Sequence, residues 1–258
     1  MKPVDEPRQV DHATREASEV AGARAARVPG PEAKEATGAP FLEAEGVCPT
    51  CDRATRFVSP YEWLRDHFTC VNCGSVPRER ALMATIERWL PDWRDRRIHE
   101  SSPLGRGASV KLAGAAGYSA SHYVPALPTG TVGPSGLPNE NLEGLSFPDE
   151  TFDLVVTQDV MEHVFEPSRA FAEIARVLRT GGLHVFTTPL VAKARPSERR
   201  ARRAADGAIE HLAPPEYHGN PVDPNGSLVT FHWGYYMTSW STSGAHVACR
   251  APSCSSTT

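Results

Sequence analysis

Residues 1–40 contain no phenylalanine, tryptophan or tyrosine and are rich in Ala, Glu, Arg and Pro. Such a stretch buries too little apolar surface to offset its ordering entropy, so a mostly disordered tail is expected, with transient helix near residues 13–26. The chain also lacks any uninterrupted apolar run near the roughly 20 residues a membrane-crossing helix needs, which argues against a membrane partner. No apolar stretch follows Met1-Lys2-Pro3-Val4-Asp5-Glu6, so no secretory leader is expected and the reading is a soluble, cytoplasmic protein. A basic excess is missing too. The formal net charge is −4 and the pI about 6.2, which argues against nucleic acid as a partner.

Cysteine is scarce, and four of the six fall in two pairs. Cys48-Pro-Thr-Cys51 and Cys70-Val-Asn-Cys73 form C-x2-C-x18-C-x2-C, a spacing that reads as metal rather than disulfide in a reducing compartment. Two-residue spacers bring both thiolates of a pair to one ion, and two pairs complete the closed tetrahedral shell of structural zinc. Such a shell leaves no position for substrate, so its role would be folding or recruitment. Gly74 suits the knuckle turn, and Phe57, Tyr61, Trp63 and Phe68 would supply a small core. The competing reading is two unrelated pairs of buried or redox-active cysteines. Cys249 and Cys254 have no matching partners and read as incidental.

Downstream, strand and helix alternate. Pro77 opens a helical pattern carrying Leu82, Ile86, Trp89 and Leu90 on one face, and Pro91 ends it. Residues 97–100 read as a short strand entering a Ser/Pro/Gly turn at 101–107. Residues 108–116 read as a helix stopped by Gly117, 118–123 as a strand, and 124–141 as a Pro- and Gly-rich loop. Residues 152–157 form an apolar strand. Phe171, Ile174, Ala175 and Leu178 give 168–179 a helical stripe, Gly181-Gly182 stop it, and 183–188 is the next strand. This alternation predicts a doubly wound parallel α/β sheet, with ligands beyond the carboxyl ends of its strands. The predicted organisation is a tail at 1–40, a four-cysteine zinc-ribbon-like module at 41–76, an α/β domain at 77–240 and an irregular tail at 241–258.

Residues 145–189 read LSFPDETFDLVVTQDVMEHVFEPSRAFAEIARVLRTGGLHVFTTP. This block resembles class I S-adenosylmethionine-dependent methyltransferases, in the group that includes ubiquinone-biosynthesis O-methyltransferases. The resemblance rests on Leu145, Phe147, Asp149, Phe152-Asp153, Asp159, Glu162-His163, Arg176, Leu178 and Gly181-Gly182. It implies a seven-stranded Rossmann-like sheet and S-adenosylmethionine as cofactor. It also implies a cofactor turn at Glu100, Ser101, Gly105 and Gly107, although Ser101 and Ser102-Pro103 stand where the family expects glycine. Asn141 and Leu142 map to the adenine contact, with the Asn141 side-chain oxygen as acceptor, and Asp159 maps to cofactor or substrate contact. The acid that would bind ribose is replaced by Ser121-His122-Tyr123.

His163 and Glu162 are the candidate catalytic residues, His163 first as general base. Three readings stay open for Asp159, Glu162 and His163. They could hold Mg²⁺ as a similar box does in some relatives, line the site, or order the next segment. Residues 193–203 carry six basic residues, read as a solvated helix or mobile lid or as a contact for an anionic substrate; His211 and His218 are weaker base candidates. After Trp233 no two strands remain to supply the family's sixth and seventh, so the C-terminal hairpin is expected to be missing, although 228–233 could supply one strand. Two functions follow. One is methyl transfer to a small molecule or cell-surface precursor. The other is a catalytically silent zinc-binding interaction protein retaining a decayed methyltransferase fold.

Overall fold

The computed structural model describes residues 40–240, so the predicted tails at 1–39 and 241–258, with Cys249 and Cys254, lie outside the described residues. Strands β1 (Leu42–Cys48) and β2 (Arg53–Ser59) form an antiparallel hairpin, and β3 (Thr69–Cys70) joins β2 with Phe57 opposite Cys70. A single helical turn, α1 (Leu64–His67), lies between β2 and β3. Cys48, Phe57 and Cys70 are buried together, with Phe68, Cys51 and Cys73 against them. Two of the four aromatics expected in this small core are exposed instead. The Trp63 indole donates to Asp66 at 2.7 Å, and Tyr61 lies edge-on to His67.

Helix α2 (Pro77–Trp89) begins with proline at a position whose amide needs no partner, and Glu79 reaches back to accept the Val76 N–H at 3.0 Å. Its buried face is Glu79, Leu82, Met83 and Ile86; Trp89, expected on that face, is exposed.

The central sheet contains β4 (Arg97–Ser101), β5 (Gly117–Ser121), β6 (Phe152–Gln158) and β7 (Leu178–Thr187). All pairings are parallel, in the order β5-β4-β6-β7. Helix α3 (Gly107–Leu112) links β4 to β5, and α4 (Pro167–Val177) links β6 to β7. Alternation along the strands sorts the core. Ile98, Leu154 and Val156 face Leu82, Met83, Ile86, Ala108 and Leu112 on one side. Val155 faces Ala170, Phe171, Ile174 and Val177 on the other. The sheet is therefore doubly wound and Rossmann-like. The chain leaves β4 for β5 on one side and returns to β6 on the other, which places the switch-point crevice beyond the ends of β4 and β6.

Beyond β7 the strands are short: β8 (Glu198–Arg199), β9 (Ala201–Arg203), β10 (Ile209–His211), β11 (Tyr217–His218), β12 (Ser227–Leu228) and β13 (Phe231–His232). They pair as β13-β8, β10-β9 and β11-β12, and among the described residues none joins the parallel sheet. The predicted strand at 228–233 is thus split between two ladders. The segment 193–203, read as a helix or lid, forms no helix: β8 and β9 take up 198–199 and 201–203. No helix among the described residues is long and apolar enough to cross a membrane.

Candidate functional site

The two cysteine turns meet. The sulfurs of Cys48, Cys51, Cys70 and Cys73 lie within 4.8 Å of one another, with Cys48–Cys73 at 3.8 Å and Cys51–Cys70 at 4.0 Å. Thiolates about 2.3 Å from a tetrahedral ion sit about 3.8 Å apart, so the donor set fits zinc. The hydroxyls of Thr50 and Ser75 approach Cys48 at 2.9 and 3.3 Å, and Cys73 at 3.2 Å each, as outer-shell partners would.

At the end of β4, Glu100 is buried. Its Oε1 accepts from Ser109 and Gln158, both at 2.7 Å, and its Oε2 accepts from the Tyr118 hydroxyl at 2.8 Å. Burial pushes its pKa up, and the three hydrogen bonds oppose the rise. Glu100 thereby braces β4 against α3, β5 and β6. Ser101 is buried beside it, and Ser102 adopts φ 60° while its N–H reaches Ser121 O at 2.8 Å. Left-handed backbone favours glycine, so the serine holds the turn at a conformational cost. Gly105 is exposed, and Gly107 is buried at φ 56°, where a Cβ would collide with the Glu79 carboxylate.

On the adenine side of the resemblance, the Asn141 side-chain oxygen accepts Glu143 N–H at 2.9 Å, closing a local turn and leaving it a second lone pair. Leu142 points into the core with Leu145 and Phe152.

Beyond β6, Asp159 sits at φ 51° and turns away from its expected companions. Its Oδ2 meets Arg65 at 2.7 Å and Arg78 at 2.9 Å, and its Oδ1 accepts from Thr187 at 3.0 Å. Of the three readings open for Asp159, Glu162 and His163, the three-residue metal set is not assembled. Instead His218, 55 residues after His163, joins Glu162 and His163, and their ligand atoms lie within 4.8 Å of one another. Glu162 is buried; its Oε2 accepts from Thr188 at 3.1 Å, while Oε1 has no hydrogen-bond partner. His163 Nδ1 faces Leu228 O at 2.9 Å and must donate there, which leaves Nε2 with its lone pair. His218 Nε2 likewise donates to Glu216 at 3.2 Å, and its Nδ1 faces Glu162 Oε1 at 3.7 Å. That separation is too long for a hydrogen bond but short enough for charge attraction. Burial lowers the pKa of His163, whereas Glu162 first and Glu216 second raise that of His218. Thr230, between β12 and β13, holds the short helical turn at 161–163 by bonding Glu162 O through both its N–H and its hydroxyl.

His211 is exposed on β10, away from this group. In the basic segment, Arg199 bonds Phe165 O and Glu166, Arg200 bonds Pro214 O, Arg202 pairs with Glu210, and Arg203 stacks on Phe165. These cations are thus engaged within the chain. Sequence reasoning missed Arg65 and Arg78, which carry no motif, and did not place His218 beside Glu162, a nearness that accompanies the β11-β12 ladder.

Comparison with known proteins bears on the same crevice. A family described as "Methyltransferase domain" matches residues 130–186. Two curated Mycobacterium tuberculosis proteins, each named "Probable S-adenosylmethionine-dependent methyltransferase", are 45% identical over 49 residues. The match spans 19% of this chain and 18% of each relative's length. Among solved structures, an S-adenosylmethionine-dependent methyltransferase from Mesorhizobium loti covers 61% of this chain and 77% of its own at 19% identity, with a TM-score of 0.38. The YcgJ protein from Bacillus subtilis covers 38% and 46% at 14% identity, with a TM-score of 0.31.

Proposed function

We propose that this chain is a class I methyltransferase that moves the methyl group of S-adenosylmethionine to a small molecule or cell-surface precursor. The observation that carries the reading is an overlap. The segment matched as a methyltransferase domain, residues 130–186, contains Asn141, Leu142, Asp159, Glu162 and His163, and its strand β6 ends at the switch-point crevice. In this reading residues 41–76 are the cysteine module, 77–240 are the methyltransferase domain, and the donor lies over the turn at 101–107.

The chemistry is an in-line displacement. An acceptor oxygen or nitrogen attacks the methyl carbon, the sulfonium leaves as a neutral thioether, and the acceptor's proton passes to a base. His163 Nε2, left with its lone pair by the bond from Nδ1 to Leu228, is the proposed base, and Glu162 beside it the charge partner. The cysteine module is proposed to hold zinc in a structural site, as its sulfur spacing fits.

A second reading of the same group is favoured by the unpartnered, buried Glu162 Oε1. One carboxylate and two imidazoles, each imidazole fixed by a hydrogen bond from its outer nitrogen, suit a first-row divalent ion better than Mg²⁺. Such an ion would polarise the acceptor oxygen. Manganese or cobalt titration tests it: binding lost in both His163→Ala and His218→Ala supports the metal, and unchanged binding leaves His163 as the base.

The proposed function is tested by calorimetric titration of the zinc-loaded chain with S-adenosylmethionine. Micromolar binding is expected. A folded chain that binds no donor contradicts the reading and returns attention to the silent interaction protein.

A further inference from the structure

Two turns that border the crevice are bonded by charged side chains to the cysteine module and to the start of α2 that follows it. On the β6 side, Arg65 of α1 and Arg78 at the start of α2 both hold Asp159 Oδ2, at 2.7 and 2.9 Å. Asp66 completes the group, pairing with Arg65 at 3.2 Å and with Arg78, and it is itself anchored by Trp63. Two guanidiniums against two carboxylates make a neutral, partly buried cluster in which every charge has a partner to offset the cost of leaving water. On the β4 side, Arg106 bonds Gly74 O at 3.1 Å and Glu79 at 3.2 Å. Lys111 of α3, almost fully buried, bonds Pro49 O and Asp52 at 2.7 Å each and Glu87 at 2.6 Å. Pro49, Asp52 and Gly74 lie within or immediately after the two cysteine pairs. The β4 side is thus bonded to the cysteine turns directly, and the β6 side through α1 and α2, which flank the second pair.

We propose that the cysteine module is a wall of the donor crevice, with Arg65 and Arg78 as the residues that position Asp159 in it, so that zinc occupancy and donor binding are thermodynamically coupled. The proposal rests on the methyl-transfer reading. Asp159 occupies a left-handed conformation that an aspartate holds at a cost, and the forked contacts of the two arginines are what keep it there. Coupling between two sites is reciprocal: if loaded thiolates favour the donor, the donor must favour the loaded thiolates by the same factor.

The experiment measures zinc retention by the full chain against a competing chelator, with and without S-adenosylhomocysteine, alongside S-adenosylhomocysteine affinity by calorimetry. In the wild type the nucleoside is expected to tighten zinc by about tenfold, a common size for such coupling. Arg65→Gln and Arg78→Gln are expected to weaken nucleoside binding and to abolish its effect on zinc, while Arg65→Lys keeps part of both. Neither glutamine substitution is expected to add to Asp159→Asn, because all three act through one carboxylate. A merely structural arginine would lower the melting temperature and leave the coupling intact. If the wild type binds nucleoside and zinc independently, or if the glutamine variants stay coupled, the proposal is overturned and the methyl-transfer reading stands. If the wild type binds no nucleoside, both fall. A chain that retains no zinc overturns the proposal alone.

Discussion

At Gly107 a single hydrogen atom decides the turn after β4. Its φ of 56° disfavours any L side chain, and an added Cβ would strike the Glu79 carboxylate, itself fully buried and paired with Arg106. Left-handed strain costs about 1–2 kcal/mol for a non-glycine residue. Displacing a buried, paired carboxylate adds a further penalty of about 1–3 kcal/mol. Gly107→Ala is therefore expected to lower unfolding stability by at least about 2 kcal/mol in urea titration. An unchanged midpoint would mean that α3 can shift. Ser102, also left-handed at φ 60°, gives the opposite case. Replacing it with glycine removes strain while adding unfolded-chain entropy of similar size, so Ser102→Gly is expected to leave the midpoint nearly unchanged.

Two histidines inside the sheet make stability depend on pH. His99 lies between the Ser119 and Ser121 hydroxyls at 3.1 and 3.0 Å, and burial lowers its pKa to about 4. His184 bonds Thr157 at 3.1 Å, and burial lowers its pKa to about 3. An imidazole with a depressed folded pKa binds protons in the unfolded chain first. Its stabilisation is thus complete above pH 6.5 and is lost as pH falls toward 4. At about 1.4 kcal/mol per pH unit, His99 alone accounts for a fall of about 3 kcal/mol. Glu100 works the other way, since its raised pKa favours the folded chain in acid, so the comparison with His99→Gln isolates the imidazole. Urea unfolding at pH 7 and pH 4.5 measures the fall. A flat wild-type profile, or a His99→Gln profile as steep as the wild type, would contradict the assignment.

Among the elements, α4 carries the densest apolar face, with Ala170, Phe171, Ile174 and Val177 buried against β6 and β7. Ile174 is 1% exposed, so Ile174→Ala is expected to cost about 2–5 kcal/mol by calorimetric unfolding, with a cost under 1 kcal/mol showing that the site collapses around the gap. This is also where the sequence was most readable. The period of 3.6 in α4 and the apolar runs in β6 and β7 reflect burial on a face, and burial is written in residue type. The cysteine spacing was equally plain. What stayed hidden depends on contacts across long separations. Asp159 looked like a site carboxylate by motif, and nothing local marks Arg65, 94 residues earlier, as its partner. Asn141 looked free until its turn closed on Glu143. The two- and three-residue strands from β8 to β13 are too short for an alternation pattern to exist, and through them His218 reaches Glu162.

In the molecule as a whole, Arg106 and Lys111 tie the cysteine turns to the turn after β4 and to α3, so loss of the proposed zinc should be felt beyond the module. Chelation is expected to open the amides of β1 to β3 and of the turns at 101–107 and 159–163 to hydrogen exchange, while β4, β6 and β7 stay protected, since their cores hold no cysteine. Uniform opening would instead make the metal the keystone of the entire fold. The claim on which everything else depends is that the donor binds over the ends of β4 and β6. Hydrogen exchange of the zinc-loaded chain with and without S-adenosylmethionine measures that directly. Slowed exchange is expected at residues 101–107 and 158–163. Donor-induced protection confined to other segments, or none at saturating donor, would contradict the site.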